Sequence, residues 1–162
     1  MIKLNLDRRV WIFQANPKKF RILDALSDPL YTWDNWKVKQ HTDEIKKGDL
    51  VLIWVAGEKA GIYAIGGIAS DPYYTDDYNP VADKYLVNSK AGKKEMEESK
   101  DKSILKVTVV YLGEINPIFR EKLKNKYGLD NLSIIKMPQA TNFKVTMGEF
   151  WALLRLMEME IG

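Results

Sequence analysis

A chain of 162 residues, 46% apolar and 29% charged, matches one domain with enough apolar mass for a sizeable core. It holds no cysteine and one histidine, which excludes disulfides and thiolate chemistry and argues against a His-based metal site or catalytic triad. The net charge of +3 suits a polyanionic partner without requiring one, and no apolar run is long enough to span a bilayer.

Residues 1–8 read as a leader, with no secretory h-region after Met1, so a cytoplasmic protein without a membrane segment is expected. Val10-Trp11-Ile12-Phe13-Gln14-Ala15 is β-branched and aromatic, the composition of a strand buried on both faces. Asn16-Pro17 has the form of a helix start, with Asn at the N-cap and Pro in the first turn. Phe20, Leu23 and Leu26 then recur at a spacing of three, with Asp24 beside them facing water. The helix should stop before Asp28-Pro29. Leu30 to Trp36 reads as a largely polar loop carrying two indoles, leading into Lys37-Val38-Lys39.

Leu50 to Val55 is the strongest strand signal in the chain. Ala56 to Lys59 turns it, and Gly61 to Ala69 returns as the second arm of a hairpin. Gly61, Gly66 and Gly67 in that arm predict a bulge or a tightly curved strand. Residues 71–102 change character: a tyrosine-rich polar loop, then a charged run from Ser89 to Lys102. They read as a mobile excursion between strands, its carboxylates forming a solvated surface. Ile104 to Leu112 is another long strand. Pro117 opens a predicted helix from Ile118 to Lys126, ended by Gly128, and Leu132 to Ile135 is a short apolar stretch. Thr146-Met147-Gly148-Glu149 has capping-box form, and Phe150, Leu153, Leu154 and Met157 place one face of the following helix on the sheet.

The chain has no phosphate loop, no nucleophile elbow and no cluster with metal-ligand spacing. The only general bases or nucleophiles to propose are Asp34, Asp49 and Lys37. A binding module fits better than an enzyme, and no cofactor or metal is expected. Four of the five tryptophans, Trp11, Trp33, Trp36 and Trp54, fall within the first third of the chain beside turns and strand edges. Flat faces near polar loops suit a flat ligand such as a nucleobase, although any one indole also suits the core.

Trp11-Ile12-Phe13-x-Ala15-Asn16-Pro17 resembles the opening strand and turn of EVE domains. Trp36-x-Val38, then Ile45-x-x-Gly48-Asp49-x-Val51-x-Ile53-Trp54 and Ala60 to Gly66, resemble their second block. Thr141-Asn142-Phe143-x-Val145-Thr146 with the helix after it resembles their closing signature. The set is in register from residue 10 to 157. The chain departs from the pattern in its 71–102 insertion and in Gln139-Ala140, where the family pattern has Gly.

The resemblance implies a single α+β domain over 1–162 with a PUA-like fold, a curved mixed β-barrel flanked by helices and similar to YTH domains. It also implies a module that recognises a modified base in DNA by flipping it into an aromatic pocket. RNA is the alternative partner, and a PUA-like small-molecule hydrolase the alternative activity. Similar domains serve as specificity modules of McrB-type restriction systems, so AAA+ and nuclease partners follow from the same resemblance. By the same analogy Trp36 is one wall of the pocket and Trp54 or Trp33 the second, with Tyr73 and Tyr74 closing it from the insertion. Asn16 reads the base edge, unless helix capping occupies its side chain, and Thr141 and Asn142 are the next candidates. Lys18, Lys19, Arg21, Lys37 and Lys39 are candidates for phosphate contacts. N6-methyladenine, 5-methylcytosine and 5-hydroxymethylcytosine stay open as the base.

Overall fold

The computed structural model describes residues 8–124 and 128–161. Nearly all of the predicted leader, and Lys126 of the predicted helix, lie outside them. Strands β1 (Val10–Ala15) and β3 (Leu50–Val55) form where the β-branched runs predict them, and both are buried on both faces. They pair in parallel, Trp11 opposite Val51 and Phe13 opposite Ile53. Strand β4 (Gly61–Ile68) returns antiparallel on β3. The predicted irregularity is present: the register of β4 against its neighbours shifts in three places. Gly66 marks one of them, because a Cβ there would lie 2.8 Å from the Val109 side chain and 3.2 Å from that of Val51.

Three predicted elements are corrected. Leu30 to Trp36 is not a loop throughout: Trp33–Lys37 is strand β2, with an Asp and an Asn in its middle. Its partner is strand β6 (Leu105–Phe119), where Trp36 lies opposite Val107 and Trp33 opposite Val110. That long-range ladder overrides the weak local propensity of the polar residues. Secondly, Pro117 does not open a helix, because β6 continues to Phe119 and helix α3 is Arg120–Leu123. The proline falls between Glu114 and Ile118, where the β4–β6 register shifts, and an irregularity of this kind is where a strand tolerates proline. Thirdly, helix α1 spans only Ile22–Leu26; it buries Ile22 and Ala25, while Leu23 is exposed. Asp24 faces water as expected.

Residues 71–102 hold strand β5 (Tyr73–Tyr74), a 3-10 turn over Pro80–Tyr85 and helix α2 (Lys90–Ser99). Ser89 caps α2, its hydroxyl accepting from the Gly92 N–H at 3.0 Å. Gly92 is required there, since a Cβ would collide with the Val87 carbonyl. Helix α4 is Ser133–Lys136 and strand β7 is Asn142–Val145. Helix α5 (Met147–Ile161) starts on the predicted capping box: Thr146 Oγ1 accepts from Glu149 N at 3.1 Å, and Glu149 Oε1 accepts from Thr146 N at 2.9 Å.

The strands form one curled sheet in the order β2-β6-β4-β3-β1-β7, with β5 added on β6. Only β1–β3 is parallel. Residues of β1 and β3 alternate between two cores. Trp11, Phe13, Val51 and Ile53 fill the interior of the curl with α1. Ile12, Leu52 and Trp54 face outward under α5, against Phe150 and Leu153. Among the described residues no helix is long and apolar enough to cross a membrane.

The gap between the two end strands is closed by side chains. Asn142 on β7 is 1% exposed. Its Oδ1 accepts from Lys39 N at 2.7 Å and Gln40 N at 3.2 Å, and its Nδ2 donates to Lys37 O at 3.1 Å. Gln40 Oε1 reciprocates, accepting from Thr141 N at 3.0 Å and Asn142 N at 2.9 Å. Removing the Asn142 amide leaves the part-buried backbone groups of Lys37, Lys39 and Gln40 without these partners, at up to roughly 1–3 kcal/mol each. Asn142→Ala is therefore expected to lower unfolding stability by about 2–4 kcal/mol in a urea titration. A loss under about 0.5 kcal/mol would show that the seam does not hold the sheet closed.

Candidate functional site

A cleft of about 140 Å3 opens between the end of β1, the face of β2 and helix α2. Its apolar walls include Phe20, Trp36, Tyr78, Leu86 and Met96, and its polar lining includes Gln14, Asn16, Asn35, Lys19, Lys39 and Thr141. The volume is below the roughly 300–1,000 Å3 of sites for drug-sized ligands, and suits a single flat ring system.

Trp36 is half-buried on β2, and its ring is tilted 42° to that of Phe13, 6.2 Å away. Its orientation is set by a directional chain of hydrogen bonds. Trp36 Nε1 donates to the Tyr111 hydroxyl at 2.8 Å, Tyr111 donates to the Tyr31 hydroxyl at 3.0 Å, and Tyr31 donates to Asp34 Oδ2 at 2.6 Å. The other Asp34 oxygen accepts from Asn35 N at 2.8 Å and Asn79 N at 3.1 Å. With its N–H occupied, the indole has only its faces and edge to offer a ligand.

Burial pushes the Asp34 carboxyl up to about 6, overriding the hydrogen bonds from Tyr31 and the two backbone amides, which act downward. Burial likewise raises the Tyr31 and Tyr111 hydroxyls well above their ordinary range, so both stay protonated donors.

The insertion supplies the third wall and is pinned by two lysines. Lys37 Nζ pairs with Glu95 at 2.7 Å and Glu98 at 3.3 Å, its side chain 13% exposed. Lys106, 1% exposed, donates to the carbonyls of Thr75 at 2.7 Å, Ser99 at 3.0 Å and Asp101 at 3.0 Å. Ser99 ends α2, where a cation also complements the helix dipole. Burial lowers the Lys106 ammonium from its ordinary value. The reading of Glu95 and Glu98 as solvated surface is thus corrected: they are half-buried partners of Lys37.

Of the residues singled out from the sequence, the cleft brings together Trp36, Asn16, Thr141, Lys19, Lys37 and Lys39. Asn16 makes the local turn expected of it, Oδ1 accepting from Lys18 N at 3.0 Å, although α1 begins only at Ile22. Its amide nitrogen has no partner among the described residues. Trp54 lies in the outer core under α5, and Trp33 is half-buried opposite Val110, off the cleft. Tyr73 and Tyr74 are exposed on β5 and do not line the cleft; Tyr73 reaches Thr108 Oγ1 at 3.1 Å. The polar atoms of Asn142 serve the seam.

Among the cations, Lys37 is neutralised by α2. Arg21 is engaged by Asp24 at 3.4 Å, the Lys84 carbonyl at 2.7 Å and the Tyr85 ring. The ammonium groups of Lys18, Lys19 and Lys39 have no partner among the described residues. Of the proposed catalytic groups, Asp34 and Lys37 line the cleft. Asp49 lies elsewhere, accepting from Trp11 Nε1 and Lys46 N, both at 2.9 Å. Among the described residues no group of His, Asp and Glu is arranged to hold a metal.

Sequence reading missed Gln14, Tyr78 and Met96. Gln14 has the parity of Ile12, which points it away from the interior of the curl, and it reaches the cleft only because β1 ends at Ala15 beside it, so alternation gave no signal. Tyr78 belongs to the same tyrosine-rich loop as Tyr73 and Tyr74, and nothing local singles it out. Met96 faces the cleft only because α2 is pinned by Lys37 and Lys106, partners distant in sequence.

A curled mixed sheet with flanking helices and a cleft of this kind defines a PUA-like domain. The chain belongs to the EVE domain family, whose model matches residues 9–156. Among solved structures it is similar to a hypothetical protein from Leishmania major, at 18% identity over 96% of this chain and 98% of that one, with a TM-score of 0.69. It is also similar to human THYN1 in complex with 5-methylcytosine-containing DNA, at 16% identity over 93% and 98%, with a TM-score of 0.64. A third similar structure is a mutant ASCH protein from Zymomonas mobilis, at 12% identity over 93% and 97%, with a TM-score of 0.58. No curated protein matches the sequence.

The Asp34 chain has a pH signature. Its folded-state carboxyl binds a proton more tightly than the unfolded one, whose ordinary value is 3.8. Its stabilising contribution is therefore full below that value and is lost as pH rises through about 6. The loss is on the order of 3 kcal/mol. Carbon NMR of the Asp34 carboxyl should show a midpoint near 6, and Asp34→Asn should remove that share of the pH-dependent stability between pH 4 and 6.5. A midpoint at an ordinary carboxylate value would contradict the buried chain.

Proposed function

We propose that this EVE domain is a nucleic-acid-binding module that takes a methylated base out of DNA and holds it in the cleft against Trp36. The observation that carries the reading is the fixed indole: a half-buried tryptophan, its N–H tied off by Tyr111, lining a cleft the size of one ring system. The similarity to human THYN1, seen with 5-methylcytosine-containing DNA, supports the same reading and makes 5-methylcytosine the first base to test.

The energetics are feasible. Flipping costs roughly a few kcal/mol. Stacking on an aromatic returns about 1–3 kcal/mol per base, and phosphate contacts from Lys18, Lys19 and Lys39 add to it. A methyl group in a pocket discriminates by only about 10–200-fold, so further selectivity has to come from polar groups at the base edge. Asn16, through its free amide nitrogen, and Thr141 are the candidates. By family analogy the module acts as the specificity domain of a restriction system, delivering modified DNA to AAA+ and nuclease partners.

One observation favours a second reading, an enzyme: Asp34 lines the cleft with its carboxyl pushed up to about 6, where a general base operates. Against it, both Asp34 oxygens are already engaged by Tyr31 and two backbone amides.

Fluorescence anisotropy at fixed salt, with matched DNA and RNA oligonucleotides, tests the proposal. The expected result is tighter binding to DNA containing 5-methylcytosine than to unmodified DNA. Trp36→Ala should weaken that binding by about 10–100-fold, the equivalent of one lost stacking contact. Lys39→Ala should weaken modified and unmodified DNA alike and reduce the salt slope by about 0.9. Preference for N6-methyladenine or 5-hydroxymethylcytosine would change the ligand and keep the mechanism. Preference for modified RNA would replace the DNA assignment, and binding indifferent to Trp36→Ala would overturn the cleft as the site.

A further inference from the structure

We propose that Met137-Pro138, at the rim of the cleft, is a wedge that enters the base stack of duplex DNA when the base leaves it. The inference rests on the base-binding reading of the cleft and extends it to the form of the partner, a duplex rather than a single strand. Gln14 lines the cleft, and its Nε2 donates to the carbonyls of Pro138 and Ala140, both at 2.8 Å. The next residue, Thr141, lines the cleft too, and its carbonyl accepts from Gln14 N at 3.0 Å. The loop 137–141 is therefore fastened to the cleft wall by its backbone.

The exposed residues here include two apolar ones, Met137 and Pro138, between the polar Lys136 and Gln139. Met137 is 58% exposed, and Pro138 beside it is exposed as well. An apolar side chain held out in water contributes nothing to the fold. The backbone that carries it is constrained: Met137 N donates to the Ser133 carbonyl at 2.8 Å, which closes α4. Methionine and proline are among the residues that proteins insert between base steps, where an unbranched, polarizable side chain fills the gap left by unstacking. Lys136, also exposed, precedes the wedge and is placed to meet backbone phosphate as it enters.

The position accounts for a requirement the cleft alone does not meet. A base leaving a duplex exposes its neighbours and its orphaned partner, and something must occupy the vacated space for the open state to persist. A single strand makes no such demand. The wedge should therefore matter for duplexes only.

The test uses one DNA sequence containing 5-methylcytosine, as single strand and as duplex, with the full chain and its variants. Met137→Ala should weaken duplex binding by about tenfold or more and leave single-strand binding within about twofold. Met137→Leu, which keeps an apolar wedge, should restore duplex binding. With 2-aminopurine placed next to the modified base, the unstacking fluorescence seen with the native chain should fall for Met137→Ala. Equal effects of Met137→Ala on both forms, or on neither, would overturn the wedge. So would a duplex-selective loss with Tyr74→Ala in place of Met137→Ala, since it would assign the role to the insertion. The base-binding reading fails on a different result: single-strand binding that is absent, or unaffected by Trp36→Ala.

Discussion

The curl of the sheet is held at its seam by two side-chain amides. Strands β2 and β7 are the ends of the sheet, and no backbone ladder joins them. Asn142 and Gln40 bridge the gap with five hydrogen bonds to main-chain groups. A regular ladder would bring the strands to about 4.8 Å apart and leave no opening there. The amides instead satisfy main-chain N–H and C=O groups across the gap, and beside it lies the cleft. Thr141 and Lys39, which flank the seam, line it directly. The seam thus fixes where the site is and also removes Asn142 from any part in reading a ligand.

A second constraint acts on the indole. Buried hydroxyls and carboxylates are costly unless paired, and the Asp34–Tyr31–Tyr111–Trp36 chain pairs each member with the next. Ionising Asp34 inside this chain is disfavoured by burial, as its raised carboxyl shows. The structural effect of the chain is to fix the plane of the Trp36 indole, which faces the cleft. Lys37 and Lys106 do the corresponding work for the insertion, tying α2 over the cleft through Glu95, Glu98 and three carbonyls. A site built this way presents a rigid wall on β2 and a second wall whose position depends on ion pairs.

How much of this could be read from sequence differed by element. β1, β3 and α5 were legible because burial on both faces, or a capped apolar stripe, leaves a local pattern. β2 was not, since Trp-Asp-Asn-Trp-Lys has no alternation and becomes a strand only through β6. The run of β6 past Pro117 was hidden by a helix-start signal that a register shift makes harmless. At the site, Trp36 was reached through family resemblance and Asn16 through an amide able to donate and accept, whereas Gln14, with the parity of Ile12, carried no local signal. Trp54 illustrates the limit: on a strand buried on both faces, sequence does not say which core an indole enters, and here it enters the one under α5. Met96 and Tyr78 depend on the placement of the insertion, which long-range lysine contacts determine.

In the proposed function a methylated base rests against Trp36 inside the cleft. The most direct measurement is NMR of a DNA oligonucleotide whose 5-methylcytosine carries a carbon-13 methyl, bound to the full chain. The account predicts an upfield ring-current shift of that methyl and a nuclear Overhauser contact to the Trp36 indole, both absent in Trp36→Ala. A methyl resonance that keeps its free-DNA position while the complex forms, with Trp36 unperturbed, would contradict it.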